Sequence, residues 1–193
     1  MIKMSGEIDM SRFLGKKTLI IGEVGSGKTR LLINILRNFI SEGLSSMVTV
    51  IDMAPPRMLD IGGRIIDHDS QLCSMIRYLY SDDIRPARLL GKSAEEVMRI
   101  ATNNAKIIDK LIEEYLSNST EILMINDLTI FIHAGDGEKL MRTIEAATTF
   151  VGTAYDGNRL SEDKGTGITM REKQYVSELL NTVDNVIKLD LAR

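Results

Sequence analysis

The chain has 193 residues, enough for one medium domain that buries its own core without a metal or disulfide staple. Its 24 basic and 27 acidic residues give a net charge of −3 and a pI near 5.5, which excludes a broad attraction to nucleic-acid backbone. A single cysteine, Cys73, excludes an internal disulfide and fits a reducing cytoplasm.

No apolar run reaches the roughly 18 residues of a membrane-spanning helix. Residues 1–9 lack a basic segment followed by an apolar one. Both predict a soluble, untargeted, cytoplasmic protein with no membrane partner. The small basic groupings, Lys16-Lys17 and Arg85, Arg88, Lys92, read as solvated surface.

The first element is Thr18-Leu19-Ile20-Ile21, an apolar run that predicts a buried strand. Gly22-Glu23-Val24-Gly25-Ser26-Gly27-Lys28-Thr29 follows and matches G-x-x-x-x-G-K-[ST] at every fixed position. Its glycines permit backbone angles that a Cβ forbids, so consecutive N–H groups can turn inward around a phosphate. Lys28 would meet the β and γ oxygens of a nucleoside triphosphate, and the Thr29 hydroxyl would meet Mg²⁺. The helix starting near Gly27 adds a favourable dipole. The candidate cofactors are ATP, or another nucleoside triphosphate, and Mg²⁺. The candidate nucleotide-binding residues are Gly22, Glu23, Val24, Gly25, Ser26, Gly27, Lys28, Thr29 and Arg30.

Residues 28–42 predict a helix with Leu32, Ile35, Leu36 and Phe39 on one stripe, and Met47–Asp52 a second buried strand. Ala54-Pro55-Pro56 cannot continue a central strand, and a loop containing Gly62-Gly63 follows. Residues 70–80 read as a short helix. Ser93-Ala94-Glu95-Glu96 is a capping box opening a long helix to about Leu116. Glu121–Asp127 predicts a third strand, Glu138 to about Ala147 a helix, Thr149–Thr153 a fourth strand and Val186–Leu189 a fifth. Thr169-Met170-Arg171-Glu172 reads as a capping box for a helix to about Leu180. Alternating strands and helices predict an α/β fold, a three-layer sandwich with a mainly parallel five-stranded sheet. Residues 1–193 form one domain, with a mostly helical insertion at about 53–117.

A triphosphate arrives with Mg²⁺, held by the loop threonine and a carboxylate ending a neighbouring strand. Asp127, at the end of Ile122–Ile125 and Asn126, is the candidate for that carboxylate; the alternative is a helix cap. Asp52 ends a parallel strand and is a second candidate catalytic carboxylate, orienting the attacking water or forming an Asx turn before Pro55. Thr153 reads as a γ-phosphate contact or a turn residue. Arg171 and Lys173 offer a positive charge to this or a neighbouring nucleotide, or are solvated helix charges. His68 and His133 have no metal-ligand spacing and read as structural.

With these residues the chain resembles the RecA/KaiC-like branch of P-loop NTPases. Ile125-Asn126-Asp127-Leu128-Thr129 looks like that group's acid-ending strand, with Asn126 where an Asp usually stands, and Val183–Leu189 resembles its closing strand. The resemblance implies ATP binding, Mg²⁺, hydrolysis and frequent assembly into rings or filaments, hence a possible homo-oligomer. Ile51-Asp52-Met53-Ala54-Pro55 has no counterpart of the family's catalytic Glu. No Asn-Lys-x-Asp guanine motif occurs, although Asp60-Ile61-Gly62-Gly63 fits D-x-x-G. Three functions are expected to compete. The first is an Mg²⁺-dependent ATPase or ATP-driven switch. The second is a small-molecule kinase using Arg57, Arg64, Arg85 and Arg88 in a lid. The third is a non-catalytic nucleotide-dependent module serving nucleic acid or a protein partner.

Overall fold

In the computed structural model, which describes residues 8–57 and 63–191, six strands form one sheet in which every neighbouring pair is parallel. The first strand is β1 (Lys17–Gly22), followed by helix α1 (Lys28–Ser41) and strand β2 (Val48–Asp52). Two single-turn helices, α2 (Ile65–His68) and α3 (Ser70–Cys73), lead to the short β3 (Arg77–Leu79). A further turn, α4 (Ala87–Leu90), precedes the long α5 (Ala94–Ser117) and β4 (Ile122–Asn126). Then come α6 (Thr129–Ile132), α7 (Gly137–Glu145), β5 (Thr149–Tyr155), α8 (Ile168–Leu180) and β6 (Asn185–Leu189). The strands lie in the order β3-β2-β4-β5-β1-β6.

Strand side chains alternate between two cores because successive Cβ atoms point to opposite faces. Leu19, Ile21, Leu123, Ile125, Phe150 and Ala154 face one core, with Ile108 and Ile112 of α5 and Val176 and Leu179 of α8. Ile20, Val50, Met124 and Val151 face the other, with Leu32, Ile35, Leu36 and Phe39 of α1. The sheet is thus covered on both sides, which is the predicted three-layer α/β sandwich.

The strand count is a correction: the sheet has six strands, not five, and the extra one comes from residues read as helix. The 70–80 helix stops at Cys73, and Arg77-Tyr78-Leu79 pairs with Thr49-Val50-Ile51 of β2. Apolar spacing in that run suits either state, and pairing with an open sheet edge decides it. The described residues of 53–117 contain this strand and four helices, of which α5 covers one face of the sheet.

Local capping follows the sequence at one predicted site and departs at another. Ser93 accepts the Glu96 amide at 3.2 Å, while the Glu96 carboxylate takes the Lys92 amide at 2.7 Å rather than that of Ser93. Thr169 is not an N-cap: α8 begins one residue earlier, behind Gly167 at φ 78°, and the Thr169 amide is accepted by Asp163 at 3.0 Å. Lys17 is half-buried and held in place. Its ammonium donates to the carbonyls of Ile144, at 2.8 Å, and Ala147, closing the C-terminal end of α7 where a cation is favoured. Among the described residues no helix is long and apolar enough to cross a membrane.

Candidate functional site

β1 lies between β5 and the edge strand β6, and from its C-terminal end the chain must turn sharply into α1. Gly22, Gly25 and Gly27 take φ values of 154°, 79° and 92° to make that turn, a region that L side chains rarely adopt. α1 begins behind Gly27 with no side-chain cap and no acidic residue in its first turn, so its N-terminal amides meet no side-chain acceptor. Ser26 Oγ is buried within the loop without a hydrogen-bond partner. Lys28 folds back over the loop, donating to the carbonyls of Gly22 and Glu23 at 2.8 Å each. Burial pushes the Lys28 ammonium below its ordinary pKa, against the pull of Asp127, Glu23, Asp156 and Glu172.

Glu23 ties the loop to the segment after β5. Its carboxylate accepts the amides of Val24, Asn158 and Arg159 at 2.7–3.1 Å. Burial alone would raise its pKa, and these three amides together with the Tyr155 hydroxyl bring it below the ordinary value. Arg30 lies on the exposed flank of α1, where it lines a shallow cleft of about 470 Å³ with Ile33, Asn34, Arg37 and His68.

Thr29 meets the end of β4. Its hydroxyl donates to Asn126 Oδ1 at 3.2 Å, and Thr153, buried in β5, donates to the same oxygen at 3.3 Å. The Asn126 amide nitrogen donates to Asp52 Oδ1 at 2.9 Å and to the Gly63 carbonyl at 3.3 Å. Both lone-pair directions and both N–H groups of this buried amide are therefore used. A carboxylate here would face Asp52 and a carbonyl with nothing to donate, so a neutral amide suits this position.

Asp52 is fully buried, and four groups donate to it: the amides of Ala54 and Ile65, the Asn126 amide and the Tyr78 hydroxyl. The Ala54 bond, at 3.2 Å, is an Asx turn. Burial lifts the Asp52 carboxyl to about 6, and the four donors offset only part of that.

Asp127 follows in a left-handed conformation, φ 57°, that Asp tolerates better than most residues. Its amide donates to Thr153 Oγ1 at 2.8 Å, and its carboxylate accepts the Thr129 hydroxyl at 3.0 Å. Burial raises its pKa; Lys28 opposes that rise and Glu172 adds to it. Thr153 thus anchors Asn126 and the Asp127 backbone from inside the sheet.

Beside this edge lies a buried cluster that sequence reasoning missed. Glu172 of α8, 2% exposed, accepts Arg88 Nη2 at 2.5 Å and stands 3.4 Å from His133 Nε2. Burial alone would raise the Glu172 pKa, but His133 and Arg88 hold it below the ordinary value. The Glu at the end of the apparent capping box was the available signal. Its partners lie 84 and 39 positions away in sequence, and only folding brings them together.

The other predicted cations are used locally. Arg64 pairs with Asp67 and Asp82, Arg85 donates to the Asp82 carbonyl, and the Arg57 amide donates to Asp67. Arg171 donates to the Gly135 carbonyl at 2.5 Å and Lys173 to Asn158 at 3.2 Å. Asp60, Ile61 and Gly62 of the D-x-x-G match lie outside the described residues.

The parallel sheet and the loop between β1 and α1 fit the class of P-loop NTPase folds. No protein-family model matches the chain, and no curated protein matches it. Among solved structures it is similar to the flagellar accessory protein FlaH from Methanocaldococcus jannaschii, at 15% identity and a TM-score of 0.47. That similarity covers 83% of this chain and 69% of the other.

Proposed function

We propose that the chain binds a nucleoside triphosphate with Mg²⁺ at residues 22–29 and acts in the cytoplasm as an ATPase or ATP-driven switch of the RecA/KaiC-like kind. The observation that carries this reading is the uncapped N-terminus of α1, wrapped by three left-handed glycines with Lys28 folded over them. The unpartnered Ser26 hydroxyl supports it, since a phosphate oxygen would supply an acceptor.

In this reading Lys28 exchanges the Gly22 and Glu23 carbonyls for phosphate oxygens, trading partial charges for full ones. The Thr29 hydroxyl gives its proton to Asn126, which leaves its oxygen lone pairs to face a cation. Thr29 and the Asp127 carboxylate are the groups that would hold Mg²⁺, which when bound neutralises charge on the β and γ oxygens. Asp52, with its oxygens occupied by four donors, acts through Asn126 as a positioning residue. The local engagement of Arg64 and Arg85 favours hydrolysis or switching over a kinase that closes these arginines on an acceptor.

The test is a panel of ATP, GTP, CTP and UTP with Mg²⁺, reading affinity and phosphate release without an added acceptor. Lys28→Ala is expected to abolish both. Binding and turnover unchanged in that variant would overturn the reading. Light scattering with and without nucleotide tests the accompanying expectation of a homo-oligomer.

A further inference from the structure

The phosphate loop sits among several carboxylates. Asp127, Glu23, Asp156 and Glu172 all act electrostatically on Lys28. A triphosphate binding beside them would add further negative charge, which a second protein cation would offset.

Arg88 is a basic side chain that folding brings toward this place from residues 53–117. It leaves α4 and crosses to α8, and its side chain is 7% exposed. Its guanidinium carbon lies 5.9 Å from the ring centre of Tyr155, and Lys28 Nζ lies 6.0 Å from the same ring. Tyr155 ends β5 beside Gly22, in register with the start of the phosphate loop. Arg88 and Lys28 therefore share one aromatic ring at the sheet edge where the phosphates would lie.

Arg88 is also incompletely satisfied. Nη2 donates to Glu172 and, at 3.3 Å, to Thr169, but Nε is buried with no acceptor. A guanidinium has five N–H donors, and a buried one without a partner costs free energy that an oxyanion would recover. Glu172 is itself gripped from the other side by His133, so the carboxylate holds the guanidinium in one orientation.

We propose that Arg88 is a second phosphate-binding cation of this site, donating to the terminal phosphate of the bound triphosphate, and that Glu172 and His133 are positioning residues that hold it there. The assignment rests on the nucleotide-binding reading above. It makes Arg88 specific for the terminal phosphate: a diphosphate fills the loop and Lys28 but leaves Arg88 without its acceptor. It also links residues 53–117 to nucleotide state, because α4 carries the arginine.

The experiment compares affinities for a non-hydrolysable ATP analogue and for ADP, both with Mg²⁺, in the full chain. Arg88→Gln alone would leave Glu172 without its guanidinium, so the decisive variant is Arg88→Gln with Glu172→Gln, which removes both charges. The expected result is a loss of about tenfold or more in analogue affinity with ADP affinity within about twofold of wild type. Arg88→Lys, which keeps charge but loses the planar fork, is expected to fall between. An unchanged analogue-to-ADP ratio in the double variant overturns the assignment, as does an equal loss for both ligands. Lys28→Ala separates the two levels. If it abolishes binding while the Arg88 variants keep the wild-type ratio, only the Arg88 assignment falls; if it changes nothing, the nucleotide reading falls as well.

Discussion

The Thr29 hydroxyl donates to Asn126 Oδ1 across 3.2 Å, joining the first helix after the phosphate loop to the end of β4. The other face of that amide donates to Asp52 at 2.9 Å, so a neutral residue separates the loop threonine from a buried carboxylate. The carboxylates beside this amide are Asp52 of the neighbouring strand and Asp127 one residue along, both with pKa values raised by burial.

Asn126→Asp is therefore expected to destabilise the fold rather than repair the site. It buries two carboxylates in contact and removes the donor to Gly63, a defect of about 3–5 kcal/mol at pH 8. The loss should shrink toward pH 5, where the pair can share a proton. Asp52→Asn with Asn126→Asp restores one charge and one amide and should recover more than half. Urea unfolding of the three proteins reads this directly, and equal stability of Asn126→Asp and wild type at pH 8 would refute the account.

Tyr78 should show a pH-dependent role. Asp52 rises from an ordinary 3.8 to about 6 on folding, so between those values the folded chain holds a proton that the unfolded chain has released. This group consequently favours folding below the window, and its contribution declines as pH rises through about 6. The Tyr78 hydroxyl, 2.6 Å from Asp52 Oδ2, supports the ionised form. Tyr78→Phe is expected to cost about 1.5–3 kcal/mol at pH 8, and nearer 1 kcal/mol at pH 4.5, where the bond is between neutral groups. Denaturation at the two pH values checks the difference.

Glu172 works in the opposite sense. Its folded pKa lies below the ordinary 4.5, so its contribution is complete above that value and is lost as pH falls through the folded one. Glu172→Gln leaves the Arg88 guanidinium buried beside a neutral group and should cost about 3–5 kcal/mol at pH 7. The gap from wild type should narrow as pH falls below 4.5, where the unfolded chain takes up the proton first, until folded Glu172 protonates too. Thermal unfolding of both proteins from pH 3 to 8 measures it, and a gap independent of pH would contradict the ion-pair account.

Gly22 is constrained from outside the phosphate loop as well as within it. A Cβ there would lie 2.4 Å from the Leu189 carbonyl oxygen of β6 and 2.8 Å from Ser26 Oγ. Gly22→Ala must shift backbone in the edge strand and adopt a left-handed φ, together about 2–4 kcal/mol. Amide hydrogen exchange should show lost protection in β6 and at the end of β1, with α5 little affected.

The elements that could be read from the chain are those whose residues leave one state open. Ile122–Ile125 is apolar at every position and is a strand between strands; Ser93 with Glu96 starts a long helix; the glycine spacing at 22–27 demands a turn that little else would need. Local preference and burial agree there, so neighbouring sequence suffices. The 70–80 run is different: its apolar spacing suited a helix, but Arg77–Leu79 lies where β2 presents an unpaired edge, and three ladder positions outweigh the local preference.

The alternation of strands and helices, the phosphate-loop turn and the candidate acids at the strand ends follow from residue order alone, because they depend on spacing within about ten residues. The tertiary structure decided which acid meets which partner. Asn126 between Thr29 and Asp52, and Glu172 between Arg88 and His133, are contacts across 39 to 97 positions. Whether a carboxylate is charged, occupied or available depends on the donors that surround it after burial, and those donors come from distant parts of the chain.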